Sequence, residues 1–169
     1  MASSLMQKIG DIGSYVGDER GIAFLTSMRV LIFENSYPDD KFSGENSRPI
    51  AVDKIFYVPW SEGRLQSLLR MDREGLLGLL RKEPPLVVEI SFFDGSSLYV
   101  IGTNGNHRVA ASAAIGIRDV PAAVEARWTC GLEGRHLEWL VGEAEERAMR
   151  WLERSRAASG TANVVNALH

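Results

Sequence analysis

The stretch "VIGTNGNHRVAASAAIGIRDVPAAV", Val100 to Val124, joins a strand-like run to an alanine-rich helical run through a polar turn. The glycines and asparagines of the turn permit the tight backbone geometry that such a junction needs. The spacing predicts a helix over about residues 106–115, with Gly116 as its stop. The first amide N–H groups of a helix have no partner within it, and its positive dipole end attracts anions. The stretch therefore predicts a phosphate-binding site at the junction between the end of the strand and the start of the helix.

Four residues of the turn are predicted to bind the phosphates of a nucleotide or of nucleic acid: Gly105, Asn106, His107 and Arg108. Arg108 can grip two phosphate oxygens in its planar fork. His107, with an ordinary pKa near 6.5, can act as a phosphate ligand, as a general base or as a cap of the turn. The alternative is a plain structural turn with a solvated arginine, because glycine turns before helices are common.

The run just upstream, "LVVEISFFDGSSLYVIG", predicts a β-hairpin with Asp94-Gly95 at its corner. A bound nucleotide calls for Mg²⁺, which takes oxygen ligands, and Glu89 and Asp94 are the predicted ligands. Residues five apart in a regular strand point to opposite faces, so only the bend can bring the two carboxylates together. The alternatives are a simple turn residue for Asp94 and a solvated strand face for Glu89.

The rest of the chain predicts alternating strands and helices. The predicted segments are a buried strand in Gly21–Asn35, a loop in Ser36–Pro49, a strand in Ile50–Trp60, one or two helices in Glu62–Lys82, a short strand in Ile117–Trp128 and an amphipathic helix over residues 132–157. Pro121 favours either an edge position or a strand start for the strand in Ile117–Trp128. Together they predict one α/β (α+β) domain over residues 1–169. Its expected architecture is a small mixed sheet flanked by helices, with an added C-terminal helix.

Three arginines, Arg147, Arg150 and Arg154, follow one another along a face of the predicted C-terminal helix, with Trp151 nearby. Such a row can bind the phosphates of nucleic acid. It can equally be a solvated face that pairs with the glutamates of the same helix. The helix and its tryptophans are also candidates for a homodimer interface or for contact with a protein partner.

Composition narrows the class of protein. The chain has 169 residues, 45% of them hydrophobic and 24% charged, which suits a globular domain with a core. Its formal net charge of −3 argues against a surface devoted entirely to nucleic acid, and predicts that any DNA contact is local and salt-sensitive. Cys130 is the only cysteine, and no apolar run has the length of a membrane span. These features predict a cytoplasmic protein without a membrane span.

The opening stretch resembles the signature of the ParB/sulfiredoxin superfamily over roughly residues 51–126. In that family a strand leads into a Gly-x-(His/Arg)-Arg turn, an alanine-rich helix, an "lGi" stop and a strand that opens with "ipv". The matching pieces here begin at Gly105 and His107-Arg108 and end at Ile115-Gly116-Ile117 and Val120-Pro121. The resemblance implies this fold, with phosphate binding at the turn.

Where this sequence differs from the pattern of the family, it excludes some of the family's functions. Sulfiredoxins carry their catalytic cysteine where this chain has Asn106, so reductase chemistry is not expected. ParB-type partition proteins have Gly-Glu-Arg-Arg at the turn and a following helix-turn-helix domain, for which about 45 residues after Val124 leave no room. Free-serine kinases of the same fold have a turn that ends in His-Arg, which His107-Arg108 resembles.

Three functions follow from the resemblance. The first is a nucleotide-binding phosphohydrolase, an ATPase using ATP or CTP with Mg²⁺, with associated DNA cleavage or handling and a link to plasmids or mobile elements. In it, His107 or Glu89 positions the attacking water and Arg108 contacts the phosphates. The second is a non-catalytic regulator that inhibits a DNA transfer or partition machine through protein contacts. The third is a small-molecule kinase of the serine-kinase type.

Overall fold

A computed structural model describes the backbone of residues 1–167 and the side chains of residues 1–159. The helices are α1 (Ala2–Ile9), α2 (Glu19–Glu34), α3 (Glu62–Leu69), α4 (Arg73–Lys82), α5 (Asn106–Ala114) and α6 (Leu137–Ala167). The strands are β1 (Ser36–Pro38), β2 (Glu45–Ala51), β3 (Ile55–Phe56), β4 (Leu86–Phe92), β5 (Ser97–Ile101) and β6 (Asp119–Cys130). Short 3₁₀ turns lie at Ile12–Tyr15, Val52–Lys54 and Gly134–His136.

The six strands form one mixed sheet in the order β1-β6-β4-β5-β3, with β2 also paired to β6. β4 runs antiparallel to β5 and parallel to β6, and β3 runs parallel to β5. A hydrophobic cluster that extends from Ala2 to Ala144 joins the sheet to its helices. The fold class is therefore α+β, with a mixed sheet flanked by helices, as the sequence predicts.

The hairpin and the helix that decide the fold lie where the sequence predicts them. Gly95 takes a φ of +83° at the corner between β4 and β5, and Ser96 C=O accepts the Phe92 N–H across the turn. α5 begins at Asn106, and Gly116, with a φ of +79°, follows its last turn. A β-hairpin that feeds directly into a helix places the polar turn at the end of β5.

The strand predicted in Gly21–Asn35 is wrong, because this segment forms α2. Asp18 caps the helix by accepting the Arg20 N–H, and the buried side chains then recur at helical spacing. These buried side chains include Leu25, Met28, Leu31 and Ile32, whereas Val30 is 43% exposed. The apolar run Val30–Phe33 suggested a strand by its density alone.

The structure corrects three further boundaries. Most of the predicted loop in Ser36–Pro49 forms β1 and the start of β2, both antiparallel to β6. β6 is longer than predicted, with twelve residues, and lies in the interior of the sheet, with Pro121 near the start of the strand and not at an edge. The helical stretch in Glu62–Lys82 divides in two at residues 70–72, where Asp72 caps α4.

α6 begins at Leu137, after a 3₁₀ turn, and its described backbone continues to Ala167, ten residues past the predicted end. It packs along α2, where Ala23, Ala148 and Leu152 form a small second cluster. Within the described residues, no helix has both the length and the apolar character needed to cross a membrane.

Candidate functional site

Gly105 makes the turn from β5 into α5 possible. It is the residue before the first helical residue and has a φ of +119°, a conformation that L side chains rarely adopt. A Cβ built on it would lie 2.7 Å from Pro85 Cβ and 3.0 Å from Pro85 Cα. The turn therefore requires glycine for its backbone angle and for its close approach to Pro85.

The next two side chains tie the turn to the loop that follows β3. Asn106 Oδ1 accepts the Val58 N–H at 2.8 Å, and His107 Nε2 accepts the Ser61 N–H at 3.0 Å. Both side chains are buried. Their polar atoms thus satisfy backbone groups of another segment and set the position of the N-terminus of α5.

Arg108 ties the same turn to the loop between α4 and β4. Its Nη1 donates to the Glu83 carbonyl, its Nη2 donates to Asn104 Oδ1 at 3.0 Å, and the Glu83 carboxylate lies 3.8 Å from Nη1. Burial lowers the pKa of Arg108, while the Glu83 carboxylate acts in the opposite direction. The guanidinium is therefore occupied by protein partners, which differs from its predicted role as a direct grip on phosphate.

Three amides at the start of α5 keep their donors free. Among the residues that the structure describes, no acceptor faces the N–H groups of Asn106, His107 and Arg108, while Val109 N–H already donates to Gly105 C=O. Two of these three residues, His107 and Arg108, line a cleft of about 310 Å³ between the turn and α3. Its lining residues are Arg64, Ser67, Leu68, Asn104, Gly105, His107 and Arg108. The arrangement can bind an anion through backbone donors and the helix dipole.

Arg64 also lines this cleft, and Trp60 lies against two of its lining residues; the sequence predicts a role for neither. Arg64 is exposed, and among the described residues it has no carboxylate partner. Its guanidinium carbon lies 4.8 Å from the centre of the Trp60 ring, and that ring meets the His107 ring edge-on at 4.9 Å. Trp60 is 54% exposed. Nothing in "VPWSEGR" marks either residue, since only the packing of α3 against α5 brings them to the turn.

The hydrogen bonding of His107 defines its chemistry. Because Nε2 accepts the Ser61 N–H, the neutral ring carries its proton on Nδ1. Burial, assisted by the positive charge of Arg64, lowers the pKa of His107 below its ordinary value of 6.5. Neutral His107 thus has a donor at Nδ1 and no free lone pair. This arrangement does not support the predicted role of His107 as a base that activates water.

Glu89 lies within β4, opposite Tyr99 on one side and Arg127 on the other. Its carboxylate is 2.8 Å from both Nε and Nη2 of Arg127, and Arg127 also reaches Glu45 at 3.3 Å. The hydrogen bond from Arg127 to Glu89 is the main cause of a raised pKa of Arg127. Glu89 is thus nearly buried in an ion-pair network and does not line the cleft beside α5.

Asp94 lies at the opposite end of β5 from the turn. Its carboxylate binds the N-terminal ammonium and accepts hydrogen bonds from the N–H and hydroxyl of Ser96. The bond from the ammonium is the largest cause of a strongly lowered pKa of Asp94. β5 alone separates the hairpin corner from the turn by about 16 Å. Asp94 is a turn residue here, and the structure does not bring it to the cleft beside α5.

The predicted Mg²⁺ site of Glu89 and Asp94 is therefore not formed. The extended part of β4 between Glu89 and Phe92 already spans about 10 Å, and each carboxylate is bound to a different cation. In the described part of the chain, no three side chains of His, Cys, Asp or Glu cluster where they could hold a metal ion. These residues do not fit the ion that the nucleotide prediction calls for.

The predicted nucleic-acid row on α6 is mostly paired. Arg147 contacts Glu34 and Glu143, and Arg150 contacts Glu143 and Glu146. Arg154 has no carboxylate partner among the described residues. All three line a groove of about 560 Å³ between α2 and α6, together with Trp151 and Val30.

Comparison of the sequence with protein-family models found no match, and comparison with curated proteins found none either. The resemblance to the ParB/sulfiredoxin superfamily thus stays a prediction.

Proposed function

We propose that this chain binds a nucleotide, ATP or CTP, with its phosphates at the N-terminus of α5. The observation that carries this proposal is the set of three consecutive free amides, from Asn106 to Arg108, in residues of which two line a cleft that Arg64 also lines. Amides at a helix start stabilise phosphate oxygens through hydrogen bonds and through the helix dipole. Arg64 adds a charge that no carboxylate in the described residues neutralises.

The individual side chains divide the work of binding. The Nδ1 proton of His107 is a further donor toward the cleft, and Arg108 supplies positive charge while it fixes the turn. The exposed Trp60 ring beside Arg64 offers a surface on which a base can stack. A cleft of about 310 Å³ holds the phosphates and leaves the base outside, against the tryptophan.

Hydrolysis, DNA cleavage and transfer to a small-molecule acceptor stay predictions. The residues foreseen for a metal, Glu89 and Asp94, lie outside the cleft, and His107 has no lone pair for an attacking water. The proposal is accordingly for nucleotide binding, and no catalytic step is assigned to these side chains.

The test is titration of the full chain with ATP and CTP by calorimetry, with and without Mg²⁺. Arg64→Ala is expected to weaken binding by about 10-fold or more, because a charge-assisted hydrogen bond contributes roughly 1.5–3 kcal/mol. Arg70→Ala is the matched control, since Arg70 is another exposed arginine at the end of α3 and does not line the cleft. Glu89→Gln is expected to leave the affinity unchanged.

Two results would contradict the proposal. One is the absence of binding by either nucleotide at millimolar concentration. The other is binding that Arg64→Ala and Arg70→Ala weaken equally. Phosphate release and plasmid nicking, measured in parallel tubes, decide whether hydrolysis or DNA cleavage accompanies binding.

A second function, regulation of a DNA transfer or partition machine through protein contacts, is supported by the groove between α2 and α6. There Trp151 is 55% exposed, beside Val30 at 43% and beside Arg154, which has no carboxylate partner in the described part of the chain. Exposed aromatic and arginine side chains are typical of protein interfaces. If this groove is the contact, Trp151→Glu abolishes inhibition in a plasmid-transfer assay and leaves nucleotide affinity unchanged.

A further inference from the structure

A second cavity lies at the other end of α5 from the proposed nucleotide cleft. It has a volume of about 830 Å³, within the range of small-molecule sites. Its walls come from the C-terminal ends of α1 and α5, from the segment around β3 and from the start of β6. Ile12, Ile55 and Ile117 are buried in these walls and give the cavity an apolar floor.

Tyr57 lines this cavity with an unused hydroxyl group. Its side chain is only 4% exposed, yet the hydroxyl has no hydrogen-bond partner among the described residues. Among the described residues, every side-chain nitrogen or oxygen that is fully enclosed does have a hydrogen-bond partner. The hydroxyl oxygen is therefore not fully enclosed, and Tyr57 is one of the residues that line the cavity. A buried tyrosine normally finds a hydrogen-bond partner, so this one is available to a ligand.

The Asp11 carboxylate lies beside that hydroxyl. A Cβ built on Gly13 would be 3.3 Å from Asp11 Oδ1 and 3.7 Å from Tyr57 Oη, so both oxygens flank the same point. Burial first, and the Asp11 charge second, raise the pKa of Tyr57 to about 12. The phenol is thus a neutral hydroxyl at physiological pH, with lone pairs that can accept a hydrogen bond.

The charge around the cavity is negative. The cavity is lined by three residues with a carboxylate and by one with a guanidinium: Asp11, Asp53, Asp119 and Arg118. Within the described residues, none of these four forms an ion pair. The C-terminal ends of α1 and α5 also meet the cavity, and a helix C-terminus carries negative partial charge. A cation is therefore the favoured ligand.

The lining distinguishes an organic cation from a metal ion. The three carboxylates do not cluster closely enough to form a metal site, as no such group occurs in the described residues. The floor of isoleucines suits a hydrocarbon body, which a hydrated metal ion lacks. The negative groups lie around the cavity, where they can meet the charged end of an elongated molecule.

We propose that this cavity binds a small organic cation, an amine with an apolar body. Its ammonium group donates to Tyr57 Oη and to the Asp11 carboxylate, and its hydrocarbon part contacts Ile12 and Ile117. The site uses none of the side chains of the nucleotide cleft and stands independently of the proposed function.

The experiment follows backbone amide shifts of the full ¹⁵N-labelled chain during titration with benzylamine, with benzoate and benzyl alcohol as size-matched anion and neutral probes. Benzylammonium is expected to shift the amides of Gly13, Val52 and Gly116 saturably, whereas benzoate does not. Tyr57→Phe is expected to weaken binding by about 2- to 10-fold, the loss of one hydrogen bond. Asp11→Asn should weaken it by a similar factor or more.

Matched controls make the test specific. Tyr37→Phe removes the hydroxyl of an exposed tyrosine, and Asp40→Asn neutralises an exposed aspartate outside the cavity. Tyr57→Phe removes no hydrogen bond within the described protein, so it is expected to fold with unchanged or higher stability. The proposal is overturned if benzoate binds as tightly as benzylammonium, if the shifts fall outside the cavity, or if nothing binds at 10 mM. It is also overturned if Tyr57→Phe and Tyr37→Phe have the same effect.

Discussion

Asn106→Ala tests how the turn before α5 is held in place. Asn106 is 7% exposed, and its Oδ1 accepts the Val58 N–H at 2.8 Å, across 48 residues of sequence. Alanine removes the acceptor and leaves the Val58 N–H without a hydrogen-bond partner, in a residue that is only 3% exposed. An unsatisfied buried donor costs about 1–3 kcal/mol, so we expect a loss of about 2 kcal/mol in the free energy of unfolding. For a chain of this size that loss lowers Tm by roughly 4–8 °C.

Urea denaturation monitored by circular dichroism measures this loss, with an unchanged m-value as the sign that only stability has changed. Asn46→Ala is the matched control, because Asn46 is exposed and makes no side-chain contact in the described residues. Asn106→Asp is expected to recover most of the stability, since it keeps an acceptor at the same place and adds negative charge at a helix N-terminus. The reasoning is refuted if Asn106→Ala and Asn46→Ala unfold within about 0.5 kcal/mol of each other.

The remaining predictions concern the same turn and α4. Gly105→Ala is expected to cost about 2 kcal/mol or more, since it strains a φ of +119° and places a Cβ against a proline. Gly78→Ala, in α4, is expected instead to raise the free energy of unfolding by about 0.5–1 kcal/mol, because the space around its Cβ position is open. If urea melts give the same stability for the two variants, this account of the turn geometry is wrong. Burial lowers the pKa of His107 below 6.5, so the unfolded chain takes up the proton first and stability is lost as pH falls from about 7 through 6.5. Urea melts between pH 7.5 and 5.5 should show a smaller loss for His107→Gln than for the natural chain, and equal losses would contradict a depressed pKa.

Much of the fold could be predicted because its signals are local. Asp94-Gly95 between two β-rich runs is enough to predict the hairpin, and the glycine before Asn106 with Gly116 beyond Ala114 brackets α5. Turn chemistry and helix capping act over a few residues, so a short sequence pattern is enough to predict where such a turn or helix end lies.

The errors arose where a pattern fits two structures. The apolar density of Val30–Phe33 suits a buried strand, but the capping by Asp18 and the packing of α2 under α6 make the segment a helix. The polar run Ser36–Pro49 has the composition of a loop, yet it pairs with β6 because that strand offers it a free edge. Such outcomes depend on partners distant in sequence, which local propensity does not contain.

By itself the sequence determined where the polar turn before α5 lies, because glycine geometry and the free amides of a helix start are local properties of "NGNHR". Only the tertiary structure decided what the turn's side chains do. It directs Asn106, His107 and Arg108 to backbone groups of two other loops, binds Glu89 to Arg127, and brings Arg64 from α3 to the cleft. The physical reason is that a polar group, once buried, takes the partner that packing supplies, and that partner lies some 25 to 50 residues away along the chain.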